Sequence, residues 1–564
     1  MIKQDLEQSI KKAFQSEYGW QPEELDITNP EPQFGDFALA CHQFAKELKQ
    51  SPQDIAQKLA DSIKSDLITK SEAVAGYLNI TIDNAKIADE VLSEIAKQDK
   101  KYGQSKSEKQ KILLEYLSPN TNKPLHLGHC RNSFLGNAMA GLLESTGSKV
   151  TKVDIVNDRG IHIMKSLVAY QKLGKGETPE STGEKGDHFV GKYYVQFDEE
   201  TMMEDAKEAL RKLEAGDKEI IKLWKQMNKW VLDGFKETYK KLGAEFDKEY
   251  YESETYELGK EIVQDGLKKG VFYKEDDNSI WVDLEDVGLD KKIMQRADST
   301  SVYVTQDFGL AISRDKEFDF DGMVYVVGHE QEYHFRVLFE ILKKLGYEWS
   351  DNLHHLSYGL VYLPEGKMKS REGKVVDADD IIDEVKELAQ EEIKKRDDKI
   401  KDTELKDRAE IIGMGALKFF LLRVTPTQSI HFNPKEAISF EGSTGPYVQY
   451  AHARISSILN EEIELSPKDI DFSVLDKPEE KAVIIKLLNY PDMVREAAAN
   501  FNPSSVCNYL LELAHLFNSF YHEHHVLKAD TEELKNARLL LIKSVQIVLR
   551  NGLEVLGIKA PDKM

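Results

Sequence analysis

The stretch Glu115 to Arg131, EYLSPNTNKPLHLGHCR, constrains this chain more than any other. It follows a short apolar run, Ile112-Leu113-Leu114, that reads as a buried strand. The polar run Ser118-Pro119-Asn120-Thr121-Asn122-Lys123-Pro124 cannot extend that strand, because it is polar and carries two prolines. Apolar residues return at helical spacing in Leu127, Phe134, Leu135, Ala138, Met139, Leu142 and Leu143. Gly147 is placed to stop that helix, and Val150 to Val156 reads as the next strand. Strand, polar loop, helix and strand make a βαβ unit. The helix begins on His126-Leu127-Gly128-His129. A helix N-terminus offers phosphate unpaired N–H groups and partial positive charge. Two histidines three apart share one face of the first turn. They can donate to phosphate oxygens, more strongly as charge builds in a transition state. Gly128 lets a flat base approach the backbone. Taken alone, such a tetrapeptide reads as a helix start with two ordinary surface histidines. The loop before it and the parts downstream decide for chemistry.

The longer run, SPNTNKPLHLGHCR, resembles the HIGH signature of class I aminoacyl-tRNA synthetases in the form used by arginyl-tRNA synthetases. The tetrapeptide alone also suits nucleotidylyltransferases of the same superfamily; Glu115 and Ser118-Pro119-Asn120 in front of it are more specific. The resemblance implies an α/β protein. A Rossmann-like parallel-sheet catalytic domain with an insertion would stand between an N-terminal α+β domain and a C-terminal all-α anticodon-binding bundle. The expected division is 1–108, 109–400 with an insertion at about 174–290, and 401–564.

A length of 564 residues suits three or four domains. No uninterrupted apolar run is long enough to span a bilayer, and the amphipathic, partly acidic MIKQDLEQSIKKAF lacks a signal-peptide core. Cys41, Cys130 and Cys507 lie far apart and form neither a CxxC pattern nor an even disulfide set, which points to a reducing cytoplasm. A formal net charge of −23 argues against a body-wide nucleic-acid surface. An RNA-binding face would therefore be a local basic patch, sensitive to salt.

Before the signature, helical patterns run through Leu6 to Phe14 and Phe37 to Ile63, and Val74 to Ile82 alternates as one strand. GDFALACHQFAKEL and GYLNITI resemble the N-terminal additional domain of the same family, which contacts the outer corner of the tRNA. A packing domain with no ligand is the alternative. The polar run Lys97 to Gln110 reads as a linker.

After the signature, Asn157-Asp158-Arg159-Gly160 forms a polar turn at a strand's C-terminal end, where open α/β sheets bind ligands. A simple turn explains Asp158 and Arg159 as well. Gly174 to Gly243 turns charged and helical, with Trp224, Met227, Val231 and Phe235 on one face, and Ser279 to Leu284 alternates as a strand. A buried strand, Gly322 to Gly328, precedes an amphipathic helix opened by His329-Glu330-Gln331-Glu332-Tyr333-His334. SVYVTQD and VGHEQEYHF resemble arginyl-tRNA synthetase segments. Carried over residue by residue, Tyr303, Asp307 and Gln331 fall on the arginine pocket together with Glu115 and Asn120. Carboxylates accept a guanidinium fork in bidentate fashion, so Glu115 and Asp307 would supply the charge. Without the resemblance, both read as structural acids at strand ends.

Gly366 to Lys374, GKMKSREGK, resembles the KMSKS loop of the class I enzymes. Lys367 and Met368 match; the motif's second lysine falls on Ser370, and Arg371 follows. ATP would meet Lys367, Met368, Ser370 and Arg371 as well as His126, Gly128 and His129. In this family a lysine just upstream of the signature is thought to compensate for the departure, and Lys123 occupies that place. Catalysis is expected from His126, His129, Lys123 and Lys367, with Arg371 and Lys374 behind them.

The C-terminal part reads as helices: Gly413 to Leu422, one opening at Tyr447, Ala482 to Ala499, Ser504 to His522, and Thr531 to Leu556. EGSTGPYVQYAHARI resembles the family's anticodon-binding bundle, which makes Tyr447, Gln449, Tyr450 and Arg454 the expected tRNA contacts. Tyr450 suits a core position equally. His522, His524 and His525 have no acidic or Cys partner at ligand spacing, so no metal site is expected.

The implied substrates are ATP with Mg2+, arginine, and tRNA with an arginine anticodon. The implied protein is a cytoplasmic monomer without membrane contact or tightly held metal. The rivals are a class I enzyme for another amino acid, a nucleotidylyltransferase, and a non-catalytic RNA-binding derivative. The departure at Ser370 favours only the last.

Overall fold

Five parallel strands form the central sheet. The structure is a computed structural model. It describes every residue except 1, 106–109, 257, 299, 301, 364–365, 368–375 and 460–465, and Pro32, Gly366 and Lys367 by backbone alone. In chain order the strands are β1 (Lys111–Glu115), β2 (Lys149–Val156), β3 (Lys248–Tyr251), β4 (Gly322–Gly328) and β5 (Leu353–Tyr358). Their spatial order is β5-β4-β1-β2-β3. The chain leaves β1 toward β2 and later returns to β1's other side as β4. That reversal opens a crevice beyond the C-terminal ends of β1 and β4, where this kind of sheet binds ligands.

Alternation along the strands builds a core on each face. Leu114, Val324, Val326 and Leu356 face the helix α1 (Leu127–Ser145). Leu113, Met323 and Tyr325 face the other way, in a core shared with a helix on either side of β4. Burial on both faces explains why β1 and β4 are apolar without a polar alternate. The helices that bear on the site are α2 (Ile161–Leu173), α3 (Gly186–Val195) and α4 (Lys218–Leu242), between β2 and β3, and α5 (Tyr303–Phe318), α6 (Glu332–Lys344) and α7 (Ala378–Arg396). The expected insertion at 174–290 is not one excursion. β3 lies inside that span and belongs to the central sheet, and a small antiparallel sheet of Phe272–Lys274, Ile280–Val282 and Lys292–Gln295 follows it.

Four expectations are corrected. Phe37 to Ile63 is not helical throughout: Phe37–Ala40 is a strand paired with Tyr77–Ile80, and the long helix starts only at Pro52. A four-residue apolar run has no period that separates helix from strand. Val74 to Ile82 is a hairpin of Ile68–Val74 and Tyr77–Ile82. Ala75 and Gly76 turn at φ 51° and 81°, the left-handed pair that a tight two-residue hairpin requires. The linker is docked in part: Tyr102 is buried and its hydroxyl donates to the Leu487 carbonyl at 2.9 Å. Ala482 to Ala499 is two helices, Pro478–Leu488 and Tyr490–Ala499, parted at Asn489 before Pro491, which cannot donate to the preceding turn. The remaining C-terminal helices stand as Asp402–Leu422, Gly445–Ile458, Ser504–Glu523 and Glu532–Val555. Among the described residues, no helix is long and apolar enough to cross a membrane.

Candidate active site

His126 is the N-cap of α1, in extended conformation at φ −131°. Its Nδ1 accepts the Gly128 N–H at 3.1 Å, and its own N–H donates to His129 Nδ1 at 3.0 Å. A ring nitrogen that accepts carries no proton, so both imidazoles hold theirs on Nε2. The ring centroids lie 3.9 Å apart, with the planes tilted by 38°. Burial lowers the pKa of His126 to about 3, with nearby Lys123 adding to the effect. Burial first, then His126 and Lys123, hold His129 far below the imidazole range. The helix start thus presents two neutral Nε2–H donors. Gly128 has a nearer reason than ligand access: a Cβ there would stand 2.9 Å from His126 Cε1, so glycine makes room for the ring.

These groups line a cavity of about 370 Å³ with Lys123, Leu117, Ser118, Val326, Gly328 and Tyr358. It lies at the β1/β4 crevice. Lys123 has no ion-pair partner among the described residues, and burial lowers its pKa. An ammonium in that position is short of an anion. The loop behind it is strained. Leu117 and Ser118 adopt φ 82° and 49°, a region costly for side chains with Cβ. Two buried side chains hold it there: Asn132 accepts the Leu117 N–H at 2.6 Å, and Asp154 accepts the Ser118 N–H at 2.8 Å. Burial pushes the Asp154 carboxyl up to about 7.

Protonation of His126 sets a pH dependence of stability. Its folded pKa lies below the unfolded value near 6.5. Below that value the unfolded chain takes up a proton that the native chain refuses until about pH 3. The contribution is therefore complete above pH 6.5 and is lost as pH falls toward 3. Denaturant midpoints between pH 7 and 4.5 are expected to fall less steeply in His126→Asn than in the parent.

Two residues with no assigned role anchor this site. Arg131 is fully buried and donates to the carbonyls of Gly359 at 2.6 Å and Pro426 at 3.0 Å, tying α1 to the segment after β5. Asn132 also donates to the Val326 carbonyl at 2.8 Å. Their only sequence signal is polarity inside a helix that must be buried. Arg131→Met leaves the Gly359 carbonyl unpaired, while the Pro426 carbonyl keeps the Gly359 N–H at 2.9 Å, and is expected to cost roughly 2 kcal/mol in a urea titration.

The expected arginine residues lie around the same end of the sheet. Glu115 ends β1 and is buried, its carboxylate already paired with the buried Arg314 of α5. Asp307 lies on α5, not at a strand end, and takes a hydrogen bond from His334 of α6 at 2.6 Å. Tyr303 is 77% exposed at the start of α5. With Arg159, Glu252, Tyr256 and Gln306 it lines a second cavity of about 480 Å³. Asn120 and Gln331 are exposed, and Asn120 bridges to Asn157 beyond β2. Of the second loop, the Lys367 backbone pairs with Tyr362. Met368, Ser370, Arg371 and Lys374 lie outside the described residues.

The catalytic-domain family model of the class I tRNA synthetases (R) matches residues 91–433. The arginyl tRNA synthetase N-terminal domain matches residues 1–82, and the DALR anticodon binding domain matches 448–564. The chain belongs to the arginyl-tRNA synthetase family. It is 46% identical to an arginine–tRNA ligase of Treponema denticola, over 96% of this chain and 95% of that protein. With the arginine–tRNA ligase of Bacteroides thetaiotaomicron it shares 43% over the whole of both. The Thermus thermophilus arginyl-tRNA synthetase structure superposes with a TM-score of 0.86 at 28% identity and covers all of both chains.

Of the four expected tRNA residues of this arginyl-tRNA synthetase family member, Gln449, Tyr450 and Arg454 lie in the matched anticodon binding domain and Tyr447 just before it, and one is corrected. Gln449 is fully buried, its amide donating to the Lys559 and Ile411 carbonyls at 2.8 and 3.3 Å. It ties helices together and presents nothing to RNA. Tyr450 is 36% exposed. Tyr447 is half-buried, 2.9 Å from His515 Nδ1. Arg454 stacks 4.5 Å over Tyr521, in a groove of about 490 Å³ lined by His522, His524 and His525. His524 does have a carboxylate partner, Glu479, at 3.0 Å.

Proposed function

We infer that the chain activates arginine with ATP and transfers it to the 3′ end of its tRNA, as an arginine–tRNA ligase of class I. The arginine carboxylate attacks the α-phosphate in line. One P–O bond forms, the bond to pyrophosphate breaks, and no side chain acts as nucleophile. Catalysis is positioning plus electrostatic stabilisation. His126 and His129 donate from Nε2 to phosphate oxygens, while Lys123 and Lys367 balance charge on the leaving pyrophosphate. Mg2+ enters with ATP as part of that substrate. Met368, Ser370 and Arg371 complete the nucleotide contacts, and Glu115, Asn120, Tyr303, Asp307 and Gln331 receive arginine. Tyr447, Tyr450 and Arg454 face the tRNA, and the chain works as a monomer in the cytoplasm.

One observation carries this reading of the site. Both Nδ1 atoms are engaged inside the helix start, so both Nε2–H groups are committed as neutral donors beside Lys123, which has no ion-pair partner among the described residues. A thermal-shift screen with arginine, lysine, ATP and CTP tests it. Arginine and ATP are expected to stabilise the protein, because each binds the folded state. Stabilisation by CTP and not by arginine overturns the reading. A pocket built for a guanidinium should prefer arginine to lysine by roughly 10⁴-fold in kcat/KM, since a lysine cannot satisfy acceptors placed for the fork.

A further inference from the structure

The helices between β2 and β3 supply no reacting group, yet they meet the phosphate-binding loop at three points. Gly191 of α3 lies so close to it that a Cβ would stand 2.6 Å from Pro124 Cδ and 3.4 Å from Lys123 Cα. Thr121 Oγ1 donates to Asn228 Oδ1 of α4 at 2.5 Å. Ser166 of α2 donates to the Asn122 carbonyl at 3.4 Å. From the other side, the backbone leading into α7 brackets His126. The Leu127 N–H donates to the Val376 carbonyl at 3.2 Å, and the Ala378 N–H to the Leu125 carbonyl at 2.9 Å.

These two supports meet at one carboxylate. Asp379 receives Lys185 Nζ at 2.6 Å, Lys241 Nζ at 2.6 Å, His188 Nε2 at 3.2 Å and Thr238 Oγ1 at 3.3 Å. Lys185 is the N-cap of α3, His188 lies in α3, and Thr238 and Lys241 lie in α4. Asp377 caps α7 by accepting the Asp379 N–H at 2.8 Å, and it faces His188 at 3.5 Å. Asp187, His188 and Asp379 stand close enough to hold a metal ion. Two ammonium groups already occupy the Asp379 oxygens, so the cluster is a joint and not an ion site. Burial alone would raise the Asp379 pKa. Hydrogen bonds from His188, Lys185 and Lys241 outweigh it and hold the carboxyl below the ordinary range.

We propose that Asp379 is a positioning residue for arginine activation: it ties α3 and α4 to the Val376–Ala378 backbone and so fixes His126, His129 and Lys123 relative to one another. This rests on the proposed function of the same site. The physical reason is leverage. Lys123 is held by the helices, His126 by the α7 backbone, and this joint ties the two supports to each other. A displacement near 1 Å in such a site can cost about 10²-fold in rate.

The test is arginine-dependent ATP–pyrophosphate exchange on the full chain with tRNA. Asp379→Asn keeps the shape, takes the ion-pair partner from Lys241 and leaves Lys185 with Asp187 alone. Its kcat is expected to fall about tenfold or more, with the arginine KM and the tRNA Kd within about twofold of the parent. Asp379→Glu, which restores the charge, is expected to recover most of the loss. Lys241→Gln removes one strut at the half-exposed rim and keeps the assay decisive if Asp379→Asn fails to fold; a kcat loss of about threefold is expected. Unchanged kcat per folded molecule with only a lower Tm overturns the proposal, as does a rise in arginine KM that accounts for the loss. If the unaltered protein shows no arginine-dependent exchange, the functional reading itself fails, whatever the variants do.

Discussion

His129→Ala is expected to lower the rate of arginine activation by roughly 10²–10³-fold, the loss typical of one donor aimed at developing charge. The imidazole is neutral and its proton is on Nε2, because Nδ1 accepts the His126 N–H. Alanine deletes the donor and also frees the His126 N–H, so part of the loss belongs to the helix start. His129→Asn separates the two: its amide oxygen can accept the His126 N–H while the Nε2 donor is gone. Rapid-quench measurement of adenylate formation reads the chemical step directly. A rate within about twofold of the parent in both variants would leave His129 structural, since that is far below the loss of a transition-state donor. Neither histidine should impose an acidic limb on the rate near pH 6.5, because burial keeps both pKa values well under it.

Asp307→Ala is expected to lower kcat/KM for arginine by about 10²-fold, the lower end of the range for stripping one partner from a charged pair. The lower end applies because the Asp307 side chain is 41% exposed. His334 lies 2.6 Å from that carboxylate and orients it, so His334→Ala should produce a smaller loss of the same kind. Initial rates at varied arginine check both. An unchanged KM and kcat in Asp307→Ala would remove it from the pocket. Glu115 is a harder test of the same idea, because its carboxylate is also the counter-ion of buried Arg314. Removing it strands a guanidinium in the core, so a loss of stability would accompany any loss of binding.

The helix start was legible because its requirements are local. A prolyl, polar loop between an apolar strand and an amphipathic helix permits few structures, and His126 and His129 are close by helical geometry alone. The strand-to-helix order also placed Val150–Val156 and Gly322–Gly328 in the sheet, where they are found. The failures share a cause. Phe37–Ala40 is a strand because Tyr77–Ile80 pairs with it, and four residues carry no period of their own. Gln449 points inward because Lys559, 110 residues later, offers a carbonyl. The partner of Glu115 is 199 residues away. The supports of the site, Arg131, Asn132, Asp154 and Asp379, act through backbone carbonyls, amides and lysines that only the folded chain assembles. A polar residue within a buried element marks such positions without naming the partner.

The most direct measurement is ATP–pyrophosphate exchange with arginine, with and without tRNA carrying an arginine anticodon. Arginine-dependent exchange is expected, reduced roughly 10²–10³-fold in His129→Ala and not supported by lysine. The arm without tRNA asks whether activation needs the bound tRNA, and exchange confined to the arm with tRNA is expected. Exchange without tRNA would remove that dependence and keep the enzyme. No exchange under either condition, with tRNA still bound, would contradict the account and leave an RNA-binding protein without activation chemistry.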